Sequence, residues 1–235
     1  DGHIDQEARR RMATVYLPEG NIPMLPSELV NGFGSLDPGK IRPAVSILAR
    51  ISNSGSVLDW EITPSLIRSQ VALSYEDADQ AMKDETSLWY RMLTRVDFAA
   101  STLRRRREEA GAIKLRRAEM VIKVLGLDSI HVGVRLPTPA SELVAELMIL
   151  YNALLARFCS VENIPAIYRS QKPLNPDYKC IDFGDEKGSL RDHRVLQYLT
   201  MRRLSPSNLD MVPTPHASLG VKAYTQVTSP LRRYP

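Results

Sequence analysis

The side chains best placed to do chemistry crowd into the last stretch of the chain. It runs Pro215-His216-Ala217-Ser218-Leu219-Gly220, then Tyr224, then Thr228-Ser229-Pro230-Leu231-Arg232-Arg233-Tyr234. Pro230 fixes the backbone just before the arginines. Thr228 and Ser229 offer hydroxyls that donate or accept. Adjacent arginines point different ways, so one can meet a phosphate while the other pairs with protein or a second phosphate. The guanidinium is planar and permanently charged, which suits phosphate oxygens. Beside a scissile phosphate it stabilises the charge that develops in the transition state. A basic surface loop without chemistry is the competing reading, because arginine pairs are frequent.

Other reactive types are sparse. Cys159 and Cys180 have neither CxxC nor Cys/His spacing, so zinc is not indicated and two reduced thiols are expected. Glu76, Asp77 and Asp79 read as helix-start acids, where the macrodipole favours them, rather than as metal ligands. Asp182, Asp185 and Glu186 read as loop charges. His216 has no evident partner, so a structural or RNA-contacting role is expected of it rather than a catalytic one. Net charge is +4, but Arg104 to Arg107 form a run and Arg116-Arg117, Arg202-Arg203 and Arg232-Arg233 form pairs. Such local positive potential suits a polyanion such as RNA.

The elements that must hold these groups follow from periodicity. Residues 4–16 read as a short amphipathic helix, followed by a Leu17-Pro18-Glu19-Gly20 turn. Pro23 and Pro26 make Asn21 to Pro26 an extended loop, anchored through Ile22, Met24 and Leu25. Ser27 is placed to cap a short helical turn. Pro43 to Ile51 and Val57 to Ile62 read as a hairpin about Asn53-Ser54-Gly55, with a third strand at Leu66 to Leu73. A helix is expected from Ser74 through Phe98 and Leu103 into the arginine run, ending at Gly111. Glu119 to Leu125 reads as a strand. Ser141 to Cys159 is a second strong helix, with Ser141 as cap and Leu143, Leu147, Leu150, Leu154 and Phe158 as its apolar stripe. Pro165 to Gly188 reads as a long irregular connection, and His193 to Leu204 as a third helix.

The composite is an α+β domain with hairpin-rich strands packed by helices. No Gly-rich strand-to-helix turn is present, which disfavours a doubly wound nucleotide fold. The 235 residues are 43% hydrophobic and 25% charged, an ordinary globular balance. The longest apolar stretch, Leu143 to Phe158, is broken by Glu146, Asn152 and Arg157, so no bilayer crossing is expected. The sequence opens on Asp1-Gly2-His3 and stops at Tyr234-Pro235; both ends are expected to be cuts through a longer protein.

Four ordered segments carry a resemblance. Tyr16-Leu17-Pro18 with Asn21-Ile22-Pro23-Met24-Leu25-Pro26 and Ser35-Leu36 is the first. Ile67-Arg68-Ser69 with Leu73-Ser74-Tyr75 is the second. Leu143 to Asn152, with Ile164-Pro165 and Tyr168-Arg169-Ser170-Gln171, is the third, and the terminal Thr228 to Tyr234 is the fourth. Together they resemble the ribonuclease II/ribonuclease R family, the RNB catalytic domain, in a bacterial, particularly cyanobacterial, style. The resemblance covers nearly the whole chain, 1–235.

The resemblance implies an RNB-type core around an RNA channel. It implies 3′-to-5′ hydrolysis of single-stranded RNA to nucleoside 5′-monophosphates, with two Mg²⁺ ions, in a monomeric cytoplasmic enzyme. Arg232 matches the arginine that meets the phosphate and assists cleavage. Tyr75 and Glu146 match the pair that holds the terminal ribose and favours RNA; a carboxylate accepting from a 2′-OH is a sound reason for that preference. Tyr16 matches an aromatic that stacks on or blocks the strand end. Thr228, Ser229 and Arg233 complete the RNA-contacting set.

Two departures stand beside it. The family's metal-holding aspartates precede the Asn-Ile-Pro-Met-Leu-Pro loop, so the ligands are expected upstream of this chain, and the chain alone is expected to be inactive. Ile113 occupies a position where some members place a stacking aromatic. A catalytically silent RNA-binding domain of the same fold is the second reading. An unrelated α+β interaction protein is the third.

Overall fold

The computed structural model describes residues 2–113, 118–126, 129–174 and 198–234. Among the described residues the chain forms α1 His3–Arg11, β1 Val15–Leu17, β2 Gly20–Ile22, β3 Ile41–Ile51, β4 Val57–Arg68, α2 Tyr75–Ala81, α3 Tyr90–Glu109, β5 Glu119–Gly126, β6 Ser129–Arg135, α4 Pro139–Val161, β7 Tyr168–Ser170 and β8 Asn208–Asp210, with a further helical segment over 198–203. The α+β class holds. The strands pair as four separate two-stranded antiparallel ribbons, β1-β2, β3-β4, β5-β6 and β7-β8.

The long β3-β4 ribbon turns at Gly55. That glycine sits at φ +77°, and a Cβ on it would lie 2.5 Å from the Thr102 carbonyl oxygen of α3. The tip therefore presses directly on α3, and Arg106 Nη1 donates to Ser56 Oγ at 2.6 Å beside it. Pro43 and Pro64 are tolerated because each strand of a two-stranded ribbon keeps a free edge. No third strand follows: Ile41 pairs with Arg68, so Leu66 to Arg68 end β4, and residues 69–73 are not strand. The Glu119 strand gains a partner unforeseen in sequence, with Met120 opposite Val134 and Ile122 opposite Val132.

The helix expected to run unbroken from Ser74 is two helices. Ser74 and Asp77 form a reciprocal capping box at the start of α2, as helix-start acids should. The chain then breaks where the Asp84 carboxylate accepts from the Thr86 backbone N–H at 2.9 Å and its hydroxyl at 2.6 Å. That local turn satisfies the backbone outside a helix.

α4 is the central element. Its cap is Thr138, not Ser141: Ser141 N–H donates to Thr138 Oγ1 while the Thr138 N–H donates to Ser141 Oγ. Pro139 follows at the first helical position. Asp79 of α2 accepts from the Ala140 N–H at 2.7 Å, so one helix caps the next. α4 packs on α2 and α3. By length and composition it could cross a bilayer, more than its interrupted sequence promised. Yet its Glu146 and Asn152 are buried against other parts of the chain.

The helix expected over 4–16 stops at Arg11, and Met12 sits at φ +64°. The cause is long-range pairing. Thr14 N–H donates to the Arg232 carbonyl, and Tyr234 N–H donates to the Met12 carbonyl. Tyr234 Oη also donates to Asp5 Oδ1 at 3.0 Å. Of the loop anchors, Met24 is buried but Ile22 is 51% exposed. Ser27 precedes a π-helical turn, Glu28–Gly34, without a side-chain cap bond. Of the connection expected over 165–188, Tyr168–Ser170 is a strand pairing with Asn208–Asp210. The rest from 175 onward, with Cys180, Asp182, Asp185 and Glu186, lies outside the described residues. Of the helix expected over 193–204, residues 198–203 are helical and 193–197 lie outside.

Candidate nucleic-acid site

Arg232 ends a 3₁₀ turn, Pro230–Arg232, entered through Ser229 at φ 64°, ψ 53°. A left-handed serine immediately before proline is a strained backbone, of order 1–3 kcal/mol, that surrounding structure must hold in place. The Arg232 Nε is buried and has no hydrogen-bond partner among the described residues. An orphaned donor of this kind costs roughly 1–3 kcal/mol. The side chain lines a cavity of about 1550 Å³ with Tyr16, Phe33, Thr228 and Ser229. Tyr16 is 57% exposed on β1. A guanidinium, two hydroxyls and an exposed aromatic ring therefore share one cavity.

The backbone of that site is secured by a side chain whose importance the sequence did not disclose. Asn152, on α4, is fully buried. Its Nδ2 donates to the Tyr224 hydroxyl at 3.0 Å and to Thr228 Oγ1 at 3.4 Å, while its Oδ1 accepts from the Val227 N–H at 3.2 Å. The amide thus holds three consecutive features of the loop that leads to Arg232. The signal was an amide inside an apolar helix.

Tyr75 and Glu146 lie elsewhere. They line a second cavity of about 570 Å³, with Ile113 and Arg135. α4 separates the two: Ala145, Glu146 and Ile149 face this cavity, whereas Val144, Leu147, Met148 and Tyr151 face that of Arg232. At 3.6 residues per turn these sets fall on different sides of one helix. The structure therefore brings Tyr16, Thr228, Ser229 and Arg232 together, and Tyr75 and Glu146 together, in separate cavities.

Glu146 is also more occupied than a free ribose acceptor would be. Arg107 donates to it through both Nε, at 3.0 Å, and Nη2, and Arg104 Nε reaches it at 3.4 Å. Arg104 Nη1 bonds Glu142 at 2.5 Å, and Arg107 Nη1 donates to the Leu219 carbonyl at 2.7 Å. The arginine run is thus not the open polyanion-binding patch that its spacing suggested. Arg104 and Arg107 are turned inward, Arg106 meets the hairpin tip, and Arg105 pairs with Glu109 on the surface. Arg116 and Arg117 lie outside the described residues.

Gly220 completes the junction. It sits at φ +65°, and a Cβ would stand 2.5 Å from the Arg107 carbonyl. His216 is buried nearby with its ring edge-on to Tyr224, centroids 5.9 Å apart. Burial, and then the charge of Arg169, hold its imidazole below the usual histidine range. It lines neither cavity. Arg233 is exposed, and its backbone bridges Ala13. Among the described residues no three His, Cys, Asp or Glu side chains cluster to hold a metal ion. These residues therefore do not fit the expected magnesium pair.

The RNB domain model matches residues 1–235. The chain belongs to the RNB domain family. A curated RNB relative, an uncharacterized ribonuclease of Synechocystis sp., is 34% identical over 98% of this chain and 34% of its own length. The chain spans about a third of the length of the curated RNB relatives it matches, others of which bear the names ribonuclease II and ribonuclease R. Among solved structures, RNase R of Mycoplasma genitalium in complex with ribose-methylated single-stranded RNA superposes at TM-score 0.86. It is 22% identical and covers all of this chain and 42% of that one. Yeast Ssd1, described as a pseudonuclease, superposes at TM-score 0.72 with 18% identity, over 99% of this chain and 32% of that one. These likenesses carry the RNB fold.

Proposed function

We propose that the protein takes part in 3′-to-5′ hydrolysis of single-stranded RNA, with Arg232 as the catalytic arginine. The observation that carries this is the buried, unpartnered Arg232 Nε in a cavity shared with Tyr16 and Thr228, in a chain of the RNB family. In the proposed step, water adds its oxygen to phosphorus and the bond to the leaving 3′ oxygen breaks. That oxygen takes up a proton, and a nucleoside 5′-monophosphate departs. Arg232 neutralises charge on the phosphate as it builds. Thr228, Ser229 and Arg233 bind neighbouring backbone oxygens. Tyr16 stacks on a base at the strand end, without regard to sequence.

Tyr75 and Glu146 are proposed to contact a ribose elsewhere along the bound RNA, on the other face of α4, with Arg107 fixing the carboxylate. Magnesium dependence, a cytoplasmic location and a monomeric state belong to the same proposal. On the family's pattern the ion ligands would come from upstream of these 235 residues, so the 235-residue chain on its own should bind RNA and hydrolyse it negligibly. The test is the intact gene product on a 3′-labelled RNA and its DNA analogue, with magnesium and with chelator. Release of labelled mononucleotide from RNA alone, abolished by chelator, supports the reading; internal fragments or equal attack on DNA overturn it.

A second reading has its own support. The superposition on a pseudonuclease, together with the lack of a carboxylate cluster among the described residues, fits an RNA-binding domain without catalysis. RNA binding by the intact gene product without any hydrolysis would favour it.

A further inference from the structure

We infer that Phe33 is a base-stacking platform for the RNA strand whose phosphate meets Arg232, an assignment that rests on the functional reading above. Phe33 is 73% exposed, more than Tyr16. Leaving a ring of this size in water forgoes roughly 1.5–3 kcal/mol of burial. Single exposed apolar residues are ordinary, but this one has a specific address. It lines the cavity of Arg232 and Tyr16, so two exposed aromatic faces share a cavity with an orphaned guanidinium donor.

The backbone ties Phe33 to the arginine turn. Its neighbour Gly34 packs so tightly on Leu231 that a Cβ there would fall 2.1 Å from Leu231 Cδ1. Phe33 and Arg232 are thus each one residue from the same contact. The carrier of Phe33 is a π-helical turn, Glu28–Gly34, a rare backbone form that concentrates at functional sites. A phosphate held by Arg232 leaves the attached nucleotides close to this ring. The chemistry it offers is a hydrophobic π-face, which takes any base and contributes about 1–3 kcal/mol per stacked base.

The experiment uses RNA carrying 2-aminopurine at one of its last few nucleotides, because stacking quenches that fluorophore. Bound to the wild-type protein, at least one position should be quenched. Phe33→Leu should lose that quenching and bind RNA about tenfold more weakly, with thermal unfolding unaltered. Phe33→Trp should restore both quenching and affinity. Unchanged quenching and affinity in Phe33→Leu, while the wild type binds RNA, would overturn this assignment alone. So would a Phe33→Leu protein that fails to fold, since the ring would then be structural. A wild-type protein that binds no RNA would overturn the functional reading and this assignment with it.

Discussion

The Asn152 side chain of α4 and the Tyr224 hydroxyl meet at 3.0 Å, and through that bond a buried helix governs the loop that delivers Arg232. Replacing Asn152 with Ala strips partners from the Val227 N–H and from Tyr224 and Thr228. We expect a loss of about 2 kcal/mol, since each buried polar group left unsatisfied costs roughly 1–3 kcal/mol. Urea denaturation measures it. Turnover should fall further than RNA affinity, because the loop loses its position before it loses its charge.

Arg232→Ala should depress kcat on the order of 100-fold, the scale of one lost oxyanion donor, with a much smaller change in RNA affinity. Single-turnover kinetics and filter binding separate the two. Equal losses would mean that Arg232 only binds.

Glu146 and Tyr75 should separate in their effects. Glu146→Ala leaves Arg104 and Arg107 half-buried without their shared carboxylate, and should cost about 3 kcal/mol of stability. Tyr75→Phe should leave stability within about 0.5 kcal/mol, as expected of a substitution that breaks no buried contact, while lowering the preference for RNA over DNA. Thermal unfolding and paired RNA/DNA assays check both.

His216 gives a pH dependence whose sign is fixed. Burial holds its imidazole below its ordinary range in the folded state, so the folded form binds its proton less readily than the unfolded chain. Stability is therefore unaffected by this group at neutral and higher pH. It falls as pH drops through the unfolded value of about 6.5. Melting temperatures between pH 7.5 and 5.5 should drop in the wild type and drop less in His216→Gln.

Gly220→Ala tests the junction between α3 and the final loop. The positive φ and the 2.5 Å approach to the Arg107 carbonyl should together cost more than 1 kcal/mol. Chemical denaturation measures it.

Local signals carried far into this structure. The Asn53-Ser54-Gly55 turn and its flanking Val and Ile residues announced the long hairpin, and Ser74 with Asp77 announced the start of α2. The break after Ala81 was written in Lys83 to Ser87, a polar cluster able to bond its own backbone, but the apolar period running across it hid the interruption. Arg104 and Arg107 looked like a solvated run because nothing local reveals that carboxylates some 40 residues onward on α4 will face them. Asn152 stood out as an amide in an apolar helix, but its partners stayed hidden for the same reason: they lie more than 70 residues away. Motif order grouped Arg232 with Glu146, whereas the thickness of one helix divides them.

The grip of Asp5 and residues 12–14 on residues 232–234 joins partners as far apart as 229 positions. Contacts of such sequence separation form late, because the closure entropy of the intervening chain must be overcome first. On a translating ribosome Tyr16 emerges well before its guanidinium counterpart. A growing polypeptide can therefore complete this cavity only after residue 234 has cleared the exit tunnel.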